Sequence, residues 1–81
     1  MWNSKVILRP GETLRLDKSS SHGFMSEEDI NEHSVIDAEG KIVGRVVHTD
    51  HTAVKGFRRT QTVTQTDEKG KVIVDEQWSG S

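Results

Sequence analysis

Residues 35–47 read VIDAEGKIVGRVV, and this stretch indicates how the chain folds. Apolar residues before Asp37 and after Lys41 flank a short polar segment that ends in Gly40. Glycine there suits the left-handed backbone that a tight hairpin turn requires. The stretch therefore predicts two antiparallel strands joined at Glu39 and Gly40.

The second strand of this hairpin is apolar on both faces. Strict alternation places Ile42 with Val46 on one face and Val43 with Val47 on the other. Such a strand is typical of the middle of a sheet, buried on both sides or wrapped into a small barrel. Gly44 inside it predicts a bulge or a sharp bend.

A similar string, DEKGKVIV, follows at residues 67–74. It predicts a second hairpin with its turn at Gly70, between a polar strand over residues 57–66 and a closing strand over residues 71–78. Near the N-terminus, residues 5–9 and 13–17 favour β-structure around the turn dipeptide Pro10-Gly11, and they predict a first hairpin there.

Residues 18–25, KSSSHGFM, have the composition of a loop. The next residues are Ser26 and a run of acids, close to a capping box, which suits the positive end of a helix dipole. One short helical turn near residues 27–32 is the expectation. The acids Glu27, Glu28, Asp29 and Glu32 predict a solvated turn, or alternatively an acidic contact surface for a basic partner.

The chain has 81 residues, enough for one domain over residues 1–81 and one small core. The predicted fold is all-β: an antiparallel meander of about six strands curled into a half-barrel or roll. Cysteine is absent, so disulfides and thiolate metal sites are excluded. A fold this small without such cross-links gains stability from self-association.

His48, Asp50 and His51 are metal-ligand residue types within four positions. On a continuous strand His48 and Asp50 share a face and His51 points away, so the three converge on one ion only if the backbone turns. The spacing is not one that is diagnostic of zinc. The alternatives are a metal site and, more in keeping with the composition, a strand end entering a polar loop.

The composition argues against an enzyme. Ser19, Ser20 and Ser21 lie beside His22, but a catalytic triad is defined by geometry, and a serine-rich loop imitates its composition. No glycine-rich phosphate-binding loop is present. We therefore expect no catalytic residues and no cofactor.

Lys55, Phe57, Arg58 and Arg59 form the densest positive cluster. Such a cluster can hold a phosphate backbone while the aromatic ring stacks on a base. Adjacent residues of a strand point to opposite faces, however, and the net charge is −2. The alternative is that the phenyl ring covers the core and one arginine pairs with an acid such as Asp75 or Glu76 on a neighbouring strand.

Threonines at positions 60, 62, 64 and 66 would share one face of a strand, a spacing that resembles the arrays of ice-binding β-proteins over seven residues only. Threonine is a strong strand former, so we assign the row to structure; if its strand were an edge, it would suit sheet extension.

Together these features predict a non-enzymatic binding or assembly module that acts through protein contacts on a sheet edge or a charged surface. The expected partner is another protein or a second copy, and weak nucleic-acid or polyanion binding through residues 55–59 is the alternative. With no signal peptide or membrane span in the sequence, the expected location is the cytoplasm.

Overall fold

A computed structural model describes residues 5–23, 26–53 and 59–79. They form a single sheet of five antiparallel strands in the order β1-β2-β3-β4-β5. The strands are β1 (Thr13–Gly23), β2 (Ser26–Ile36), β3 (Ile42–Ala53), β4 (Arg59–Asp67) and β5 (Val72–Ser79). The molecule measures 45 × 20 × 20 Å.

The predicted all-β meander is confirmed, and its sheet is open rather than closed into a barrel. The turn at Pro10-Gly11 is present, but the hairpin predicted around it is wrong. The sheet has five strands because residues 5–9 do not form one. Their backbone is held by a side chain instead of a strand ladder: the Ile7 amide donates to Gln65 Oε1, and Gln65 Nε2 donates to the Ile7 carbonyl, both at 2.8 Å. We call residues 5–9 the strap, because they cross one face of the sheet.

The hairpin turns predicted at Gly40 and Gly70 are confirmed and have the same geometry. In the first, Asp37 Oδ1 accepts hydrogen bonds from the amides of Glu39 and Lys41. In the second, Asp67 Oδ1 accepts them from the amides of Lys69 and Lys71. Gly40 and Gly70 close the turns with φ of 85° and 84°, values that favour glycine.

The prediction of a loop over residues 18–25 and a helical turn near residues 27–32 is wrong. β1 continues to Gly23, and β2 begins at Ser26 and pairs along its whole length with β3. Serines and acids favour turns only locally, and here cross-strand pairing on both sides of β2 outweighs that preference. Residues 24 and 25 lie outside the described part of the chain.

Three β-bulges alter the alternation of side chains. The extra residues are Asp17 in β1, Val43 in β3 and Ile73 in β5. The bulge predicted at Gly44 thus lies one residue earlier. Because it shifts the alternation, Ile42 and Val46 are on opposite faces rather than on the same one.

Position 44 requires glycine for a steric reason. A Cβ atom there would come within 2.8 Å of the Thr66 carbonyl oxygen. The backbones of β3 and β4 therefore approach closely only because this residue has no side chain.

The small core lies on one face of the sheet, which we call the core face. Val35, Val46 and Val63 are its fully buried apolar side chains, from β2, β3 and β4. Val6 of the strap and Leu14 of β1 pack against them. The opposite face carries the threonines of β4, and we call it the threonine face. As predicted, β3 is the central strand.

In the part of the chain that the structure describes, no helix is long and apolar enough to cross a membrane.

Candidate functional site

Away from the hairpin turns, polar side chains join the apolar ones on the core face. Register places Asn31 of β2 opposite His48 of β3, and Asp29 opposite Asp50 in the next row. On the other side of β3, Gln61 of β4 lies opposite Asp50. We call this end of the sheet the polar half.

His48 is the centre of the polar half, and it is buried, with 6% of its surface exposed. Its ring stacks on Trp78 at 6.5 Å between centroids. Nε2 lies 3.1 Å from Gln61 Oε1, and Nδ1 lies 3.5 Å from Asn31 Nδ2. In this geometry Nε2 can donate to the Gln61 carbonyl oxygen and Nδ1 can accept from the Asn31 amide, so two amides fix the orientation of the ring. Such a histidine contributes to structure.

Asp50 and Arg59 form an ion pair beside it. Arg59 Nε donates to Asp50 Oδ1 at 2.9 Å, and Nη2 donates to Oδ2, so the contact is bidentate. The hydrogen bond from Arg59, with the attraction of its charge, lowers the pKa of Asp50 below its usual value of 3.8. The same hydrogen bond raises the pKa of Arg59. Both groups therefore stay charged and paired at neutral pH.

The structure does not bring the predicted metal ligands together. β3 runs without a turn to Ala53, so His48 and Asp50 lie on the core face and His51 on the threonine face. Across residues 5–23, 26–53 and 59–79, no group of three or more His, Cys, Asp or Glu side chains is arranged to hold a metal ion.

Of the predicted basic cluster, Lys55, Phe57 and Arg58 lie outside the described residues. Arg59 begins β4, and its guanidinium is engaged with Asp50 of β3 rather than with the acids of β5. The sequence does not show that Asp50 is its partner, because the order of β3, β4 and β5 in the sheet determines which acid lies beside Arg59.

The threonine face is confirmed as one continuous row, but β4 is not an edge. It pairs with β3 and β5, so its backbone groups are used within the sheet. Thr62 bonds through its hydroxyl to Thr49 across the strand pair. These contacts agree with the structural role assigned to the row.

Asp29 and Glu32 of β2 lie on opposite faces, because they belong to a strand and not to a turn. Asp29 accepts a hydrogen bond from Ser21 at 2.6 Å on the core face. Glu32 pairs with Arg45 on the threonine face. These two acids are therefore engaged separately and do not share one acidic surface.

A groove of about 660 Å³ lies between the strap and the two hairpin turns. Its lining includes Asp37 and Asp67, whose carboxylates already accept amide hydrogen bonds within their turns. The bond from the Lys71 amide is the main reason why the pKa of Asp67 is lowered. The lining also includes Arg9 and Lys69 together with Glu12, Glu39 and Glu68, so the groove carries charges of both signs.

The edge strands of the described sheet are β1 and β5. β1 and β5 each pair on one side only within the described residues. β5 has a bulge at Ile73 and the exposed acids Asp75 and Glu76. In β1, the bulge and the carboxylate lie in the first half: Asp17 accepts a hydrogen bond from Ser34 and pairs with Arg15, and these contacts lower its pKa.

The second half of β1 has no bulge and no carboxylate, and its one lysine is Lys18 at its start. Its pairing with β2 is regular from Lys18 to Gly23. Ser19 donates its hydroxyl to Asn31 at 2.8 Å and Ser21 donates to Asp29, so both side chains turn back over the sheet. Sequence reasoning took these serines for a loop and missed the edge, since an edge is defined by strand order and not by composition.

No family model, curated protein or solved structure matches the chain.

Proposed function

We propose that this protein is a non-enzymatic binding or assembly module that acts through protein contacts at the edges of its sheet. The observation that carries the proposal is the open meander, which leaves the outer backbone groups of β1 and β5 without a strand partner in the described part of the chain. Unpaired amides and carbonyls of an edge strand can be completed by a strand from another chain.

The state of the polar half of the core face supports a binding role over a catalytic one. Its most buried titratable side chain, His48, is oriented by Asn31 and Gln61. Its aspartate and arginine neutralise each other. A general base or nucleophile needs a proton or lone pair directed at a substrate. The donors and lone pairs of His48, Asp50 and Arg59 are directed at neighbouring side chains instead.

The thin core also favours association. Three valines are the fully buried apolar side chains of the described residues, and they lie on one face of a single sheet. A sheet is normally stabilised by a second packed layer or by further strands. A partner strand would add backbone hydrogen bonds where the molecule has few other sources of stability.

Photo-crosslinking in cells tests the proposal. A benzophenone amino acid would replace Ser20 on the β1 edge or Asp75 on the β5 edge, with Thr64 in the internal strand β4 as the control position. We expect protein adducts from one or both edge positions and few from position 64. Absence of adducts at both edges, or a stronger yield at position 64, would contradict the proposal.

Crosslinks to nucleic acid would favour the alternative function through residues 55–59. Phosphate binding weakens steeply as salt increases, whereas backbone pairing at an edge does not. Repeating the crosslinking over a range of salt concentrations separates the two functions. The pairing of Arg59 with Asp50 already removes one cation of that cluster from a phosphate-binding role.

A further inference from the structure

We infer that the second half of β1, residues 18–23, is a self-association edge that pairs antiparallel with the same segment of a second copy about a two-fold axis at Ser20. The two five-stranded sheets would then form one continuous sheet. The inference rests on the proposed function and names its partner and its strand.

The two edges differ in how well they resist pairing. Natural edge strands avoid it through bulges, charges and prolines. β5 combines the bulge at Ile73 with Asp75 and Glu76 near its middle. Two copies of β5 placed edge to edge would bring these acids close together, and like charges facing each other destabilise a strand pair.

The second half of β1 has no bulge, proline or carboxylate. Its one lysine, Lys18, would lie opposite His22 of the second copy in a pair centred at Ser20, and not opposite another lysine. Ser19 and Ser21 have small side chains whose hydroxyls are engaged with β2, so the outer backbone is left accessible to another strand. The regular register up to Gly23 keeps that backbone straight enough for a ladder.

The segment is also self-complementary. In an antiparallel pair centred at Ser20, Ser20 of one copy lies opposite Ser20 of the second copy, and Ser19 lies opposite Ser21 of the second copy. Residues opposite each other share a face, so the core faces of both copies remain on the same side. A contact of this kind is isologous and closes as a dimer, which is the commonest form of self-association.

The contact is short, and a small interface implies weak, concentration-dependent association. Pairing of β1 with β5 is the competing arrangement. It would join two different surfaces and extend into chains of copies instead of closing. The size of the assembly therefore distinguishes the two geometries.

The experiment is sedimentation of the full chain over a wide concentration range, with charges placed at the axis. Ser20→Lys and Ser20→Glu each put like charges opposite each other, so we expect both variants to dimerise about tenfold more weakly or worse. An equimolar mixture of the two should recover dimerisation, because Lys then faces Glu. Dimerisation recovers on mixing the two variants only if residue 20 of one copy lies near residue 20 of the other.

Gln77→Lys is the matched control. Gln77 lies on the threonine face of the other edge, and register places it in the same row as Ser20 through Ile30, Thr49 and Thr62. It adds the same charge at an exposed edge, and we expect dimerisation as in the unmodified protein. Circular dichroism of each variant checks that the sheet is retained.

Three results would overturn the inference: a monomer at all concentrations, a ladder of oligomers, or a dimer that Ser20→Lys leaves intact. A charge-swapped mixture that stays monomeric would do the same. These failures differ from failure of the proposed function. A monomeric protein whose edge positions still crosslink to another protein in cells would refute only the pairing with a second copy.

Discussion

The two halves of the core face differ in how their side chains are held. Near the hairpin turns, Val35 and Val46 are buried, Val6 of the strap packs against the core, and Gln65 fastens the strap to β4. In the other half, His48 and Asp50 make polar contacts, and His48 also stacks on Trp78. We expect the turn half to depend on apolar packing and on the strap, and the polar half to depend on side-chain hydrogen bonds and an ion pair.

The largest expected effect comes from the turn half. Val46→Ala removes two methyl groups from a side chain with no exposed surface, and it should lower the free energy of unfolding by about 2–3 kcal/mol. Urea denaturation measures the change. Ile42→Ala, in the same strand but 53% exposed, is the control and should cost about 0.5 kcal/mol or less. Equal losses in both variants would refute the idea of a localised core.

The fastening of the strap should have the next largest effect. Gln65→Ala leaves the Ile7 amide and carbonyl without their side-chain partner, at a cost of about 1–3 kcal/mol. Hydrogen exchange should show faster exchange at the Ile7 amide while the amides of β2 and β3 stay protected.

Gln61→Ala in the polar half is the matched control for that experiment. It removes the amide that orients His48 and should leave exchange at Ile7 unchanged. If both glutamine variants released the strap equally, the two halves would be coupled more closely than the contacts indicate.

The smallest effect concerns the ion pair of the polar half. Because Arg59 lowers the pKa of Asp50 in the folded state, the pair stabilises the protein above pH 3.8, the ordinary value, and this contribution is lost as the pH falls through the lower folded value. Asp50→Asn should therefore lose less stability on acidification than the unmodified protein. Thermal unfolding between about pH 6 and 2 measures the difference; parallel curves would show that the pair contributes nothing to stability.

The sequence was sufficient to predict the hairpins of the turn half. Asp37 and Asp67 each stand three residues before a glycine, and this spacing lets the carboxylate accept turn amides while the glycine takes the positive φ. Local chemistry of this kind does not depend on the rest of the fold, so it could be predicted from a few residues.

Residues 18–32 could not be predicted in the same way. Their serines and acids satisfy the local requirements of a loop and a helix start, and the strand conformation depends on pairing between β1, β2 and β3.

The effect of the bulges on the faces of the strands could not be predicted either. An extra residue at Val43 reverses the faces of the residues that precede it, and nothing in the alternation of IVGRVV shows the reversal.

For the candidate site, the shared face of His48 and Asp50 followed from the period of a strand. The stacking of His48 on Trp78 and the pairing of Asp50 with Arg59 did not, because both depend on the register of β4 and β5. The position of β1 at the edge of the described sheet depends on the order of all five strands.

The attachment of the strap has a consequence for the order of folding. Every strand of the meander pairs with its neighbour in the chain, so the sheet can assemble hairpin by hairpin with short loop closures. The bond between Ile7 and Gln65 joins residues 58 positions apart and requires β4 to be in place first. Docking of the strap is therefore a late kinetic step. During synthesis, the strap has no site to bind until the ribosome has added β4.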